Sequence, residues 1–283
     1  MQDFLHGNFV LAAQSLRRMG MRNIFIEGIQ GSGKSTLIQR LSERLPEYHR
    51  YAEGDISPVE LAWCAYMTGE QYQETLEKYP EIQEEIRKWS VVEGAYHIVA
   101  YTRIITDYPG FHKDLEQYEI YNGRRSLAEL KEIVLSRYRA FRGEGNLFEC
   151  AFFQNIVEDM ILFHLLTDEE IVTFYKELFD AVDKEKFLMI YLDNEDIAEN
   201  VRIICEERCD QDGNQLWYQL MQEYLKSCPY AKEHDLKDFD GMVAHFEHRR
   251  AVEKRIIAEV LGECAVILPA KRYNVENVLH MIL

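Results

Sequence analysis

The chain has 283 residues, enough for one large or two small domains, and its 47% hydrophobic residues can form a substantial core, which indicates a folded globular protein. Its formal net charge of −17 and the absence of a sustained basic tract argue against a nucleic-acid polymer or an anionic membrane as partner. No stretch has the pattern of a membrane span or a secretory leader, so a cytoplasmic location is the expectation.

A predicted strand, a glycine-rich segment and a helix follow one another directly, after an amphipathic helix predicted over residues 8–19. The apolar run of residues 24–26 has the composition of a buried parallel strand. Leucines that repeat every four residues from Leu37 predict the helix, which Pro46 ends. Between the two, residues 28–35 have the pattern G-x-x-x-x-G-K-S, which is typical of a phosphate-binding loop.

Each residue type in this loop has a physical role in binding ATP with Mg²⁺. Glycines permit the backbone conformations and the close approach that a side chain would block. The backbone N–H groups form a nest for anions, to which the following helix adds its positive N-terminal end. Lys34 is expected to contact the β- and γ-phosphates, and Ser35 to place its hydroxyl on Mg²⁺. The predicted nucleotide-binding residues are Gly28, Gly31, Ser32, Gly33, Lys34, Ser35 and Thr36.

A long segment of mixed pattern follows this unit. Residues 49–55 are predicted to form a second strand that ends in acids, and Ser57-Pro58 to begin a helix, because proline is favoured in the first turn. The further predictions are acidic helices up to Trp89 with a break at Pro80, extended chain over 90–105, a loop over 108–125 and a helix over 126–142. The span 56–145 is therefore expected to be a mostly helical insertion.

The rest of the chain alternates between apolar strands and helices. Strands are predicted over 145–152, 186–193 and 264–270, and helices over 154–166, 168–182, 194–208, 215–226, 237–260 and at the C-terminal end. This alternation predicts a three-layer α/β fold with a parallel sheet. No repeat or linker divides the chain, so residues 1–283 are expected to form a single domain.

Two classes of phosphate-loop protein lack support in the sequence. A GTPase is expected to contain N-K-x-D for guanine, and an ABC-type ATPase L-S-G-G-Q; the chain has neither. Residues 107–110, DYPG, match a GTPase D-x-x-G only superficially, because four-residue matches are frequent. A small phosphotransferase or another kind of ATPase remains.

Four segments resemble the nucleoside and nucleotide kinase superfamily. FIEGIQGSGKST (25–36) resembles the opening of thymidylate kinases, and LFECAFFQN (147–155) the third strand of deoxynucleoside kinases. IYLDNEDIAENVRIICEER (190–208) resembles the fourth strand and the arginine-bearing lid helix, and AVILPAKRYNVENVLHMI (265–282) the closing strand and helix. The resemblance implies a P-loop NTPase fold with the kinase-like strand order 2-3-1-4-5. It also implies transfer of the γ-phosphate of ATP to a small molecule such as a nucleoside or nucleoside monophosphate.

The chain departs from this family in three places. Cys150 stands where such kinases have an arginine after the third-strand acid. The predicted lid helix has only Arg202 and Arg208, fewer and more widely spaced arginines than is usual. The insertion over 56–145 matches no part of the family. The resemblance therefore supports the predicted nucleotide-binding residues better than it supports any residue that would bind the acceptor.

Two acids compete for the Mg²⁺-linked role, and two more for the catalytic base. Glu149 is favoured over Asp193 for the metal, because in the kinase-like order it ends a strand beside the first one. Glu53 and Asp55 lie at the end of the second strand, where an open α/β sheet faces its ligand. Either could act as the base, and Asp55 could instead begin the next helix.

Arginines complete the predicted site. Arg202 and Arg208 are the lid candidates, able to fork onto a transferring phosphate, although Arg202 could also form an ordinary helix pair with Glu206. In the insertion, Arg103 and Arg124 are expected to bind the acceptor, because a long insert usually forms a lid or a binding wall. The alternative is an ATPase or nucleotide-dependent switch whose insertion binds a protein. The sequence leaves the assembly open between a monomer and a homodimer.

Overall fold

Five parallel strands form the central sheet of the protein, in a computed structural model that describes residues 20–283. The helix predicted over 8–19 lies outside these residues. The order of the strands across the sheet is β2-β6-β1-β7-β8. Numbered along the chain, the strands of the protein are β1 (Asn23–Glu27), β2 (His49–Tyr51), β3 (Ala65–Thr68), β4 (Ser90–Glu93), β5 (Tyr96–Val99), β6 (Asn146–Glu149), β7 (Phe187–Asp193) and β8 (Ala265–Pro269).

Strand β1 lies at the centre of this sheet, paired with β6 on one side and β7 on the other. Phe25 is in register with Phe148 and Met189, and all of β1 is buried. Because successive side chains point to opposite faces, Ile24 and Ile26 pack on one face and Phe25 on the other. The carboxyl ends of β1, β6 and β7 therefore share one edge of the sheet.

Helices cover both faces of the sheet and give the three-layer α/β architecture. The α-helices are α1 (Lys34–Arg44), α2 (Gly69–Lys78), α3 (Gln83–Lys88), α4 (Phe111–Glu116), α5 (Leu127–Ala140), α6 (Gln154–Leu162), α7 (Asp168–Asp180), α8 (Ile197–Glu207), α9 (Leu216–Ser227), α10 (Pro229–Glu233), α11 (Asp238–Ile256) and α12 (Val275–Ile282). Apolar residues of α1 and α12 pack against Ile24 and Ile26, whereas α5, α6, α7 and α11 pack on the face of Phe25. Each face thus has its own hydrophobic core.

The span 56–145 contains a second sheet in addition to its helices. Strands β3, β5 and β4 form an antiparallel sheet in that order, and α2 to α4 pack around it in a small core of their own. The prediction of a mostly helical insertion therefore missed this sheet, although the extended chain predicted over 90–105 contains β4 and β5. Helix α4 also lies inside the loop predicted over 108–125.

The helix predicted from Ser57 onward is wrong. Instead, the Ser57 hydroxyl accepts hydrogen bonds from the N–H groups of residues 59 and 60, each at 3.2 Å, and the Glu60 carboxylate accepts one from the N–H of Ala62 at 2.6 Å. Such local side-chain bonds offer the backbone an alternative to a helix. Trp63 then adopts φ +60°, and the chain enters β3. The pairing of β3 with β5 holds residues 65–68 of the predicted helix in an extended conformation.

Within residues 20–283, no helix is both long and apolar enough to cross a membrane.

Candidate functional site

A cavity of about 1170 Å³ opens at the carboxyl ends of the central strands. One wall is the loop between β1 and α1, and another is formed by residues of the insertion. Helices α6, α8 and α9 contribute further lining residues. The loop between β1 and α1 and the insertion therefore face one shared space.

The loop from Gly28 to Gly33 adopts a conformation that needs its glycines. Gly28, Gly31 and Gly33 have φ values of +139°, +76° and +94°. A Cβ added at Gly28 would lie 2.5 Å from the backbone oxygen of Leu192, and one at Gly31 would lie 2.5 Å from the side chain of Ile204. The loop thus packs closely against β7 and α8, where side chains could not fit.

Donors for an anion converge at the start of α1. The N–H groups of residues 34–36 form the first turn of this helix, and within the part of the chain that the structure describes they donate to no acceptor. The Lys34 ammonium is buried and donates to the backbone oxygens of Gly28 at 2.6 Å and Ile29 at 3.0 Å. This arrangement can hold a phosphate group at a helix N-terminus, with Lys34 beside it.

Ser35 and Glu149 bring oxygen ligands together next to the loop. The Ser35 hydroxyl donates a hydrogen bond to the Glu149 carboxylate, which is only 8% exposed. Glu149 is placed there by the register of β6 beside β1, which pairs it with Ile26. Hydroxyl and carboxylate oxygens are ligands that Mg²⁺ accepts, with waters and nucleotide phosphates completing its shell.

Asp193, the other candidate for the metal, forms ion pairs with a helix outside the cavity. Its carboxylate forms ion pairs with Arg250 at 2.5 Å and Lys254 at 2.7 Å, both on α11, and it does not line the cavity. Burial opposes its ionisation, but the hydrogen bonds from these two cations hold the pKa of Asp193 below its usual value. Of the two acids, Glu149 is the one beside Ser35.

Glu53 lines the cavity and is held by two side chains from distant parts of the chain. Its Oε1 accepts hydrogen bonds from Trp63 Nε1 at 3.0 Å and from Gln154 Nε2 at 2.8 Å. Burial raises the pKa of Glu53, and nearby acids such as Glu149 add to the shift. A carboxylate with a raised pKa in a cleft is a candidate general base.

Asp55 and Arg103 bind each other outside the cavity. Asp55 accepts a hydrogen bond from the N–H of Ala52 at 2.8 Å and forms an ion pair with Arg103 at 2.7 Å. Arg103 also donates to the backbone oxygen of Glu53 at 3.2 Å. Neither side chain lines the cavity, so both hold the segment that positions Glu53.

The two lid candidates differ in position. Arg202 pairs with Glu199 at 3.2 Å, rests 5.3 Å from the ring centre of Phe239 and does not line the cavity. Arg208, at the end of α8, lines the cavity, with its guanidinium 5.7 Å from the ring centre of Trp217. Of these two arginines, only Arg208 faces the cavity.

The insertion contributes Arg124 to the cavity, together with residues that the sequence did not single out. Arg124 forms an ion pair with Glu116, and both line the cavity. Trp63 and Tyr121 of the insertion line it as well, and lining residues missed from the sequence include Glu116, Glu119, Asn122, Gln154 and Glu158. The spacing of Gln154 and Glu158, one turn apart on a helix that follows a strand end, was the available signal. The others lie at the end of α4 or in the loop after it, where no motif marks them.

A buried network supports the position of Glu158. Its carboxylate is bound by Arg249, which is fully buried on α11. Arg249 also lies 3.1 Å from Glu253, and Glu253 accepts a hydrogen bond from the Tyr191 hydroxyl at 2.7 Å. This network joins α6 and α11 to β7 behind the cavity wall.

Within residues 20–283, no cluster of three or more His, Cys, Asp or Glu side chains could hold a metal ion by itself. Any Mg²⁺ would therefore be held by Ser35 and Glu149 together with nucleotide oxygens, which these residues fit. In comparison with known proteins, no family model and no curated protein matches the chain.

Proposed function

We propose that the protein is a phosphotransferase that depends on ATP and Mg²⁺ and transfers the γ-phosphate to a small-molecule acceptor. The observation that carries this proposal is the shared cavity, in which Lys34, Ser35 and Glu149 lie on one side and the half-buried carboxylate of Glu53 on another. Phosphoryl transfer needs positioning, neutralisation of charge and an acid that orients the acceptor. This cavity offers a candidate for each.

The arrangement of strands also supports a kinase-like interpretation. Numbered within the central sheet alone, β2-β6-β1-β7-β8 becomes 2-3-1-4-5. This is the order expected of the nucleoside and nucleotide kinases that the loop and strand motifs resemble. The cytoplasmic location is part of the same proposal.

The chain's own residues would act as follows. The N–H groups of residues 34–36 and the Lys34 ammonium bind the β- and γ-phosphates. Ser35 and Glu149 hold Mg²⁺, which when bound neutralises charge that develops on the transferring group. Glu53 accepts the proton of the attacking hydroxyl, and Arg208 contacts the phosphate from the lid side. Asp55 and Arg103 position Glu53 rather than touch the substrate.

The test combines nucleotide binding with acceptor-dependent ADP release. Wild-type protein is expected to be stabilised by MgATP by a few kcal/mol at saturation, and Lys34→Ala to lose this stabilisation while remaining folded. Lys184→Ala is the matched control, because Lys184 is an exposed lysine paired with Asp180 outside the cavity. A screen of alcohols, nucleosides and nucleoside monophosphates should then show ADP release that requires one acceptor. Undiminished stabilisation of Lys34→Ala by MgATP would overturn the assignment.

A second candidate function is an ATPase or switch whose insertion binds a protein. It is favoured by apolar side chains exposed on the insertion, with Val92 68% and Ile105 99% exposed. This candidate predicts ATP hydrolysis that no small molecule stimulates. Acceptor-independent turnover across the whole screen would favour it over the phosphotransferase.

A further inference from the structure

One end of the cavity is acidic. Glu53, Glu119 and Glu158 line it; Glu119 and Glu158 are buried, and Glu53 is half-buried. Gln154 binds Glu53 at 2.8 Å and lies one turn before Glu158 on α6. Asn122 binds Glu119 at 2.9 Å and accepts a hydrogen bond at 3.0 Å from the hydroxyl of Tyr224, which also lines the cavity. Burial raises the pKa of both Glu53 and Glu119, and nearby cations do not offset it. We call this surface the acidic end.

The cations that line the cavity lie mostly elsewhere. Lys34 and Arg40 belong to α1, and the Lys271 side chain lies 3.7 Å from the position of a Cβ at Gly33, so these three surround the nucleotide end. Arg208, at the end of α8, lies against Trp217 of α9. The remaining cation, Arg124, is at the acidic end and is already paired with Glu116.

Arginines that could supply positive charge from behind the wall are also bound. Arg103 pairs with Asp55 at 2.7 Å, and Arg125 donates to the backbone oxygen of Tyr66 at 2.7 Å. Arg249 is shared between two buried carboxylates, one of which is Glu158. Among the described residues, the acidic end therefore has no cation left to pair with a second anion.

From this distribution of charge, and on the basis of the proposed phosphotransferase function, we propose that the acceptor carries no phosphate group. A phosphate dianion is recognised by arginines or lysines that form charge-assisted hydrogen bonds with it. At the acidic end Glu158 is already bound by Arg249, and within residues 20–283 Glu53 and Glu119 have no cation bound to their carboxyl groups. A second anion would therefore meet like charge, which disfavours the wrong partner in a binding site. Carboxylates and amide oxygens instead accept hydrogen bonds from hydroxyl and amino groups of a neutral or cationic alcohol.

The reaction then produces the first phosphate ester on its acceptor. The acceptor oxygen forms a bond with the γ-phosphorus of ATP, and the bond from that phosphorus to the bridging oxygen breaks. ADP leaves with the electron pair, and the hydroxyl proton passes to Glu53 and from there to solvent.

The test measures MgATP-dependent ADP release with matched pairs that differ by one phosphate: thymidine and its 5′-monophosphate, adenosine and AMP, glucosamine and glucosamine 6-phosphate. We expect an unphosphorylated member to be accepted, with a kcat/KM about 100-fold or more above that of its phosphorylated partner. A preferred phosphorylated member would overturn this inference and leave the phosphotransferase function intact. ADP release that no member stimulates would overturn both.

Glu116→Gln supplies a second readout. Removal of this carboxylate leaves Arg124 free, so the preference for the unphosphorylated member should fall by about 10-fold, with no change in the KM for ATP. Glu85→Gln is the matched control, because Glu85 is an exposed acid of the insertion paired with Lys88 outside the cavity. An equal change for both members of a pair would show a merely structural role for Glu116 and contradict the charge argument.

Discussion

At the scale of single residues, the candidate site depends on which carboxylate meets which partner. Glu149 and Asp193 both end buried strands of the same sheet. Glu149 accepts a hydrogen bond from Ser35, whereas Asp193 is bound by Arg250 and Lys254 of α11. The acid at the end of β6 therefore belongs to a candidate metal site, whereas the acid at the end of β7 binds helix α11 to the sheet.

Two near-isosteric variants should separate these roles. Glu149→Gln is expected to fold normally and to lose about two orders of magnitude or more in turnover, because it removes a charged ligand from the proposed Mg²⁺ site. Asp193→Asn is expected to lower the free energy of unfolding by about 2 kcal/mol, because it weakens hydrogen bonds to charged partners. Thermal unfolding and ADP release measured on both variants check this. Normal turnover in Glu149→Gln, with turnover lost in Asp193→Asn, would reverse the assignment.

Glu60 predicts a dependence of stability on pH. Burial raises its pKa to about 8 in the folded state, against an ordinary value of 4.5. Between these values the folded protein retains a proton that the unfolded chain releases, so the stability that Glu60 contributes is fully present below the lower value and is lost as pH rises through this window. The slope from this one group is at most about 1.4 kcal/mol per pH unit.

Glu60→Gln should flatten that decline. Urea unfolding at several pH values between 5 and 9 measures it, with Glu85→Gln as the control that changes an exposed acid. A slope remains in the variant, since burial also raises the pKa of Glu27 to about 7. Identical profiles for wild type and Glu60→Gln would mean that Glu60 is ionised in the folded protein.

At the scale of elements, the connection between β1 and α1 determines where the candidate phosphate-binding groups lie. Gly28 passes so close to β7 that an added Cβ would lie 2.5 Å from the backbone oxygen of Leu192. Its φ of +139° is also a conformation that other residues rarely adopt. The loop is therefore held by its contact with the neighbouring strand as well as by its own turn.

Gly28→Ala and Gly94→Ala separate these two effects. Gly94 also has positive φ, but no atom lies within 4 Å of its Cβ position. We expect Gly94→Ala to cost about 1 kcal/mol of stability through backbone strain alone. Gly28→Ala should cost about 3 kcal/mol and abolish stabilisation by MgATP, because the backbone contact must also shift. Equal effects of the two substitutions on unfolding would contradict the role of the close approach.

At the scale of the whole molecule, residues of the insertion contact the segment around Glu53, which follows strand β2 of the central sheet. The ion pair of Arg103 with Asp55 joins the insertion to the segment that follows β2, and Trp63 of the insertion binds the Glu53 carboxylate. The insertion has its own small sheet and core, yet its loops complete the cavity wall. Its position is therefore expected to affect catalysis more than nucleotide binding.

Arg103→Ala tests this connection. Loss of the ion pair and of the bond to the Glu53 backbone should lower kcat by about 10-fold, because Glu53 is less well positioned, and leave MgATP affinity unchanged. Arg139→Ala is the matched control, since Arg139 pairs with Glu177 at 2.9 Å between α5 and α7, outside the cavity. Steady-state kinetics and a MgATP thermal shift measure both. A change in MgATP affinity without a change in kcat would contradict it.

The sequence by itself determined the elements whose signals are local. The loop from Gly28 to Ser35, the helix that follows it and the buried strands of the central sheet all show in short patterns of glycine, charge and apolar residues, because neighbouring residues decide them. The strand β6 was predicted in the same way, over 145–152, although it ends three residues earlier, at Glu149. These parts include the nucleotide end of the candidate site.

Only the tertiary structure decided the rest. Gln154 binds Glu53 across 101 positions of sequence, and Arg103 of the insertion binds Asp55, which precedes the insertion. Strand β3 forms where a helix was predicted, because it pairs with β5, some thirty residues later in the chain. Arg202 and Arg208 look alike in sequence, but only Arg208 lines the cavity. Such pairings depend on how distant segments pack, and a local pattern has no information about a partner that folding brings from elsewhere.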